Sequence, residues 1–314
     1  MKLVIQIPCF NESATLAIAL AALPRMLEGI DTVEWLIVDD GSRDGTVEVA
    51  RRLGVHHIVR HTANRGLAQA FMTGIDACLK VHADVIVNTD ADNQYQADDI
   101  PALIAPILAG EADIVIGARP IGDTTHFSWM KKKLEQLGSW AVRMASQTEV
   151  MDAPSGFRAI TREAAMRLNV FNAYTYTLET IIQAGQSNMR VANVPIRTNP
   201  DLRPSRLVRS IPAYVGRSVL TILRVFVIYK PLKFFAFFGT VFLLVGLAAG
   251  ARYLWFFFEG NGAGHVQSVI LCALAVIVGL LFFLMGIIGD LIATNRKLLE
   301  RIHLRVQRLE HRQE

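Results

Sequence analysis

Residues 234–251 and 266–289 contain no Asp, Glu, Lys or Arg, and the first run stays apolar past Arg252 to Phe258. A helix of ~20 residues crosses a hydrocarbon core of about 30 Å, and backbone in lipid has few alternatives to a helix. The connector, residues 259–265, is glycine-rich and too short for a domain. The sequence therefore predicts a two-helix transmembrane hairpin, 234–258 and 266–289, within a membrane segment spanning 232–289. Its flanks orient it: Arg217, Arg224, Lys230 and Lys233 precede the first run, Arg296, Lys297, Arg301 and Arg305 follow the second, and the connector has neither Lys nor Arg. Positive charge is retained on the cytosolic side, so both termini are expected there. Arg252, beside Tyr253 and Trp255, reads as a side chain snorkelling to the outer interface. The apolar run after Met1-Lys2 stops at Pro8, which does not read as a secretory signal. An integral protein of the cytoplasmic membrane or its equivalent, with its soluble part in the cytosol, is the expectation.

The rest of the chain must then be soluble. With 314 residues there is length for about two domains, and the 52% hydrophobic share is concentrated in the two runs. One soluble domain plus a membrane segment fits; disorder and collagen-like repeats do not. The net charge of +4 conceals a split, since residues 1–196 carry 17 Lys and Arg against 22 Asp and Glu, whereas residues 197–233 carry eight basic residues and one acid. Basic residues next to an apolar span face anionic headgroups first, so an anionic membrane is the expected partner and nucleic acid is not. Within 201–231, Arg217 and Arg224 share one helical face while Val215, Val219, Ile222 and Phe226 share the other, the pattern of an interfacial amphipathic helix or of a solvated helix packed on the soluble domain. In the cytosolic tail 290–314, Leu298, Ile302, Val306 and Leu309 recur at helical spacing, which offers a homo-oligomer contact through 291–310. Cys9, Cys78 and Cys272 form no C-x-x-C pair, so neither a disulfide framework nor a zinc site is indicated.

In the soluble domain, 1–200, short β-rich runs at 3–7, 34–38, 57–60, 85–88 and 114–116 alternate with helix-length segments such as 46–53 and 66–80. This predicts an α/β fold with a doubly wound, mostly parallel sheet, whose ligands bind at the carboxyl ends of the strands. Three of those ends are acidic: Asn11-Glu12 after the first run, Asp39-Asp40 after the second and Asp90-Ala91-Asp92 after the fourth. No G-x-G-x-x-G follows the first strand, which argues against a dinucleotide fold. Carboxylates repel a diphosphate unless a cation stands between, and Asp90 and Asp92, with Gln94 or water, can ligate Mg²⁺ or Mn²⁺ that bridges to it.

Pro8-Cys9-Phe10-Asn11-Glu12, Val38-Asp39-Asp40-Gly41-Ser42, Asn64-Arg65-Gly66, Asp90-Ala91-Asp92-Asn93-Gln94 and Ser155-Gly156-Phe157-Arg158 resemble, in order, the motifs of family 2 glycosyltransferases of the GT-A fold. Within them the chain is most similar to polyprenyl-phosphate hexosyltransferases of the dolichol-phosphate mannose synthase type. The resemblance implies a nucleotide sugar (UDP- or GDP-hexose) as donor, held by Pro8, Phe10, Glu12, Asp39, Asp40, Arg65 and Asp90. It implies a metal at Asp90, Asp92 and Gln94, with Asp92 counted as catalytic. It also implies a polyprenyl phosphate acceptor, dolichyl or undecaprenyl, near Arg119, Ser155, Arg203, Ser205, Arg206 and Lys133, of which Arg119 and Arg206 would be catalytic. Many relatives carry Tyr where Phe10 stands, which removes a hydroxyl contact but keeps an apolar stacking face.

The reaction follows from charge. Negative charge grows on the β-phosphate as the sugar leaves, and a phosphomonoester acceptor, with a second pKa of about 6, already presents an oxyanion. It needs cations rather than a general base, and the arginine fork suits phosphate. Direct attack would invert the anomeric centre. A hydroxyl acceptor on a glycolipid or polysaccharide is the alternative enzyme, for which Asp152 could be the base unless it orients Arg158 or a loop amide. A non-catalytic nucleotide-binding scaffold is the other alternative. His57 and His61 read as a solvated surface pair.

Overall fold

The computed structural model describes residues 1–120, 140, 142–144, 146–170, 176–200, 223–224 and 227–313. Lys133, Arg203, Ser205, Arg206 and Arg217, and most of the expected interfacial helix, lie outside the described residues. Seven strands form one sheet: β1 (Lys2–Cys9), β2 (Thr32–Asp39), β3 (His57–Arg60), β4 (Val85–Asn88), β5 (Ile114–Ala118), β6 (Arg158–Thr161) and β7 (Val191–Pro195). The helices are α1 (Leu16–Ala22), α2 (Thr46–Arg52), α3 (Leu67–Lys80), α4 (Ile100–Leu108), α5 (Arg162–Arg167), α6 (Thr177–Gln186), α7 (Pro231–Phe258) and α8 (Val266–Gln313). Contacts divide the chain into two compact units, residues 1–219 with 304–314, and residues 220–303.

The strand order is β3-β2-β1-β4-β6-β5-β7. Helices cover both faces of the central strands, so β1 and β4 are buried along nearly their whole length and read as continuous apolar runs. The sheet is mixed: β6 lies between β4 and β5 and runs antiparallel to both, while the other pairs are parallel. This reversal matters for the site. The N-terminal end of β6 lies at the edge where β4 and β5 end, so the loop before Arg158 meets the carboxyl ends of those strands, with Arg158 opposite both Asn88 and Ile116.

In the second unit, α7 and α8 are, among the described residues, the two helices long and apolar enough to cross a membrane. They approach closely at small residues. A Cβ on Gly239 would lie 2.8 Å from Phe283, one on Gly279 2.9 Å from Leu243, and one on Gly246 2.9 Å from Val276. Small residues at such contacts let helix backbones pack where lipid supplies no hydrophobic drive. The expected second span and tail form one uninterrupted helix, because no Pro or Gly stands after Gly289 to end it.

Candidate active site

The loops after β1 and β2 are tied together before any ligand is considered. Asn11, at φ 54°, donates its backbone N–H to Ser42 Oγ (2.8 Å) and accepts Arg43 N at its side-chain Oδ1 (3.0 Å). Glu12 N donates to Thr46 Oγ1 at 3.0 Å, and Asp44 takes Ser13 N (3.1 Å), Thr46 N (3.1 Å) and the Thr46 hydroxyl. Burial would raise Asp44, but the donors from Thr46 and Ser13 outweigh it and hold its carboxyl below the usual range. Gly41 makes the crossing possible. Its φ is +77°, and an added Cβ would sit 2.7 Å from the Ala63 carbonyl carbon and 2.8 Å from Asn64 N. Gly41→Ala is therefore expected to destabilise the soluble domain by about 2 to 4 kcal/mol, from left-handed strain plus backbone overlap; an unchanged melting temperature would contradict this turn.

Asp39 is fully buried, with Oδ1 accepting Ser42 N at 3.0 Å and Oδ2 lying 3.0 Å from Arg60 Nε. Beside it, Gly41, Ser42, Arg43, Arg60, His61 and Thr62 line an open cleft of about 360 Å³. Phe10, just past the end of β1, is 39% exposed. Asp40, also expected at the nucleotide, is engaged within the protein. Its buried carboxylate takes Arg65 N (2.8 Å), Gly66 N (2.9 Å) and His61 Nδ1 (2.7 Å), and so fixes the loop that starts α3. The Arg65 side chain itself is exposed. The surface reading of the two histidines is corrected here: His61 is buried, with Nε2 3.0 Å from Thr73 Oγ1, and His57 Nε2 lies 2.7 Å from Glu34. Strand pairing of Asp39 with Arg60 carries the next residue inward.

At the end of β4 a buried polar chain runs from Gln6 to Asn88 (2.9 Å), and from Asn88 Nδ2 to Gly156 O (2.8 Å) and Tyr176 Oη (2.9 Å). Gly156 N donates to Tyr95 Oη at 3.0 Å. Tyr95 stacks on Phe157, and Tyr176 on Phe71 with ring centroids 3.9 Å apart. Gly156 is thus held against Asp90, whose oxygens would be 3.3 and 3.4 Å from a Cβ there. Asp92 Oδ1 accepts Gln94 N at 3.1 Å. Burial first, then Glu12, Asp39, Asp90 and Asp44, push the Cys9 thiol well up, a sign that these carboxylates converge on one edge. Gly156 belongs to one of the sequence motifs, but Gln6, Asn88, Tyr95 and Tyr176 were not singled out from sequence; for Gln6 and Asn88, an amide within or ending an apolar strand run was the available signal.

On the β5 and β6 side, Arg119 Nε and Nη2 meet Asp152 Oδ2 and Oδ1 at 2.7 and 2.9 Å, and Arg119 N also donates to Asp152. Asp152 is 1% exposed. It therefore orients Arg119, not Arg158. Ser155 Oγ is buried without a hydrogen-bond partner among the described residues, and Ser155 N donates to Asp152 O at 3.2 Å.

Among the described residues no three His, Cys, Asp or Glu side chains cluster as a self-sufficient metal cage. Asp90 and Asp92 instead offer two half-buried carboxylates at one strand end, the donor set of a Mg²⁺-type ion that completes its shell with water and substrate phosphate. The residues fit that group.

The family model of glycosyl transferase family 2 matches residues 4–174. An undecaprenyl-phosphate mannosyltransferase of Micrococcus luteus is 26% identical over 235 residues, covering 71% of this chain and 93% of that one. A UDP-N-acetylglucosamine–dolichyl-phosphate N-acetylglucosaminyltransferase of Methanococcus voltae is 30% identical over 185 residues, 52% of this chain and 73% of that one. Among solved structures, glucosyl-3-phosphoglycerate synthase of Mycobacterium tuberculosis, in complex with Mn²⁺, UDP and glucosyl-3-phosphoglycerate, superimposes with a TM-score of 0.54 at 20% identity, over 70% of this chain and 79% of that one. The GT-A sheet, the acidic strand ends and a family match over more than half the sequence lead to one conclusion: the chain is a glycosyltransferase belonging to glycosyl transferase family 2.

Proposed function

We propose that this protein transfers a hexose from a nucleoside diphosphate sugar to polyprenyl phosphate at the cytosolic membrane face, with inversion at the anomeric carbon. The observation that carries the choice of acceptor is Asp152. A hydroxyl acceptor needs a base within reach, yet both Asp152 oxygens are bound to Arg119 in a nearly solvent-free pair. A phosphate oxyanion needs no base, and a fixed guanidinium attracts it. The relatives named for undecaprenyl and dolichyl phosphate acceptors support the same reading.

Asp39, Phe10 and the β2–β3 cleft take the nucleoside, while Arg119 and Ser155 take the acceptor phosphate with Arg203, Ser205, Arg206 and Lys133. Asp90 and Asp92, with Gln94, would hold Mg²⁺ or Mn²⁺. Such an ion supplies positive charge where the departing diphosphate accumulates negative charge. The protein's own part is to align an anionic nucleophile with the sugar and to offset the repulsion between two anions with arginine.

Purified full-length protein with UDP- and GDP-hexoses is expected to glycosylate a short polyprenyl phosphate and to ignore the matching polyprenol. Transfer to the alcohol alone would refute the acceptor assignment, and proton coupling at the product's anomeric carbon reads out inversion. Membrane attachment has its own test. If Arg217 and Arg224 lie on anionic headgroups, each contributes on the order of 1 kcal/mol. Changing both to Gln should weaken binding of residues 1–231 to anionic vesicles by about 30-fold at low salt, and less at high salt. Unchanged binding would favour a helix packed on the soluble domain.

A further inference from the structure

Arg158 heads the fully buried side chains by volume among the described residues, at 0% exposure. Its guanidinium meets no carboxylate there. Instead Nε donates to Ser155 O at 2.8 Å, Nη2 to Ala153 O at 2.9 Å and Nη1 to Thr180 Oγ1 at 2.5 Å, with Cζ 5.8 Å from the Tyr176 ring centroid. Burial lowers its pKa to about 10, so the group stays charged near neutral pH. Placing a charged group in the interior is costly, and here hydrogen bonds to neutral acceptors and the nearby charge of Asp152 offset that cost. The carbonyls that it gathers belong to residues 153 and 155. They lie in the loop that presents Asp152 to Arg119 and leaves the buried Ser155 hydroxyl without a partner among the described residues. Gly156, beside Asp90, is held independently by Tyr95 and Asn88.

From this we infer that Arg158 is a positioning residue for the acceptor half of the site: by turning the Ala153 and Ser155 carbonyls onto its fork it sets loop 152–156, and through Asp152 and Ser155 it aims the Arg119 guanidinium and the Ser155 hydroxyl at the acceptor's phosphate. The inference rests on the acceptor reading given above. It goes further in separating the loop's two anchors, Arg158 for the acceptor side and the Tyr95–Asn88 pair for the Asp90 side.

The experiment uses full-length Arg158→Met, Arg158→Lys and Thr180→Val proteins in detergent, with two readouts per folded molecule. One is kcat/KM for a short polyprenyl phosphate; the other is Kd for UDP or GDP with Mn²⁺, whichever the wild type binds. Arg158→Met is expected to lose about 10²-fold in acceptor kcat/KM, the effect of a misplaced positioning group, with nucleotide Kd within about threefold of wild type. Lysine keeps the charge but not the three-way fork, so Arg158→Lys should recover part of the loss. Thr180→Val, which removes one acceptor, should show a smaller loss of the same kind. Folded variants with wild-type acceptor kcat/KM, or with equal losses in nucleotide binding and acceptor use, would overturn the inference. Should the Arg158 variants not fold, Thr180→Val decides alone, an unchanged acceptor kcat/KM counting against the inference. A wild type that uses an alcohol instead of the phosphate refutes the acceptor assignment, and the positioning role is then judged by the same comparison on that alcohol.

Discussion

Asp92→Asn is expected to reduce turnover by about 10² to 10³-fold while leaving the melting temperature nearly unchanged. Asp92 is only half-buried, and its one hydrogen bond among the described residues, from Gln94 N, is to Oδ1. An asparagine carbonyl can accept the same bond, so the loop keeps its shape and only the negative charge is lost. Because Asp90 and Asp92 are the two carboxylates of the proposed ion site, removing one halves its charge, and nucleotide affinity should then depend less on added Mn²⁺. Chelation of the wild type should mimic the variant. Full activity in excess EDTA would sink the metal assignment.

The second large effect is a coupling. Asp152→Asn and Arg119→Ala should each lower acceptor kcat/KM, Arg119→Ala by about 10²-fold, the loss expected when a charge-assisted contact to phosphate disappears. The double variant should be no worse than Arg119→Ala alone. The reason is geometric, since Asp152 holds Arg119 through two short side-chain bonds and a third from the Arg119 amide, and in the proposed site it acts on the acceptor only through that arginine. A general base would behave otherwise, costing about 10² to 10⁴ in rate on its own account. Its loss would then add to that of the arginine, as expected for independent groups. Sequence reasoning alone pits the two residues against each other as rival signatures; the ion pair makes them partners.

The strands β1, β2, β4 and β5 were legible because mostly buried strands leave short, largely apolar runs, β3 by its β-branched Ile58-Val59 although it is only partly buried, and α3 because its pattern is long and amphipathic. β6 was not: Arg-Ala-Ile-Thr has four residues, begins with a charge and pairs with strands about 70 positions upstream and 40 upstream. The acidic strand ends were visible as composition, since Asp after an apolar run needs a solvent or ligand partner. The division of labour between Asp39 and Asp40 was not visible. Only the pairing of Asp39 with Arg60, which turns His61 inward toward Asp40, separates a carboxylate at the cleft from one spent on the loop. Arg158 looked like a candidate partner for Asp152, and only the backbone path of residues 153–155 shows that the arginine grips carbonyls instead.

The reversed β6 also has a consequence for how the chain is made. As synthesis proceeds from the N-terminus, β1 to β4 can pair in turn, but the outer edge of β4 has no neighbour until Arg158–Thr161 emerges and inserts between β4 and β5. An open central edge is a template for wrong pairing, and this one persists while the chain extends through β5. The same insertion brings Gly156 to Asp90 and Asp152 to Arg119. A nascent chain stopped before β6 therefore lacks both a partner for the open edge of β4 and the Asp152–Arg119 pair as the finished fold holds it, so one strand-pairing event joins the two parts of the sheet and brings these residues into place.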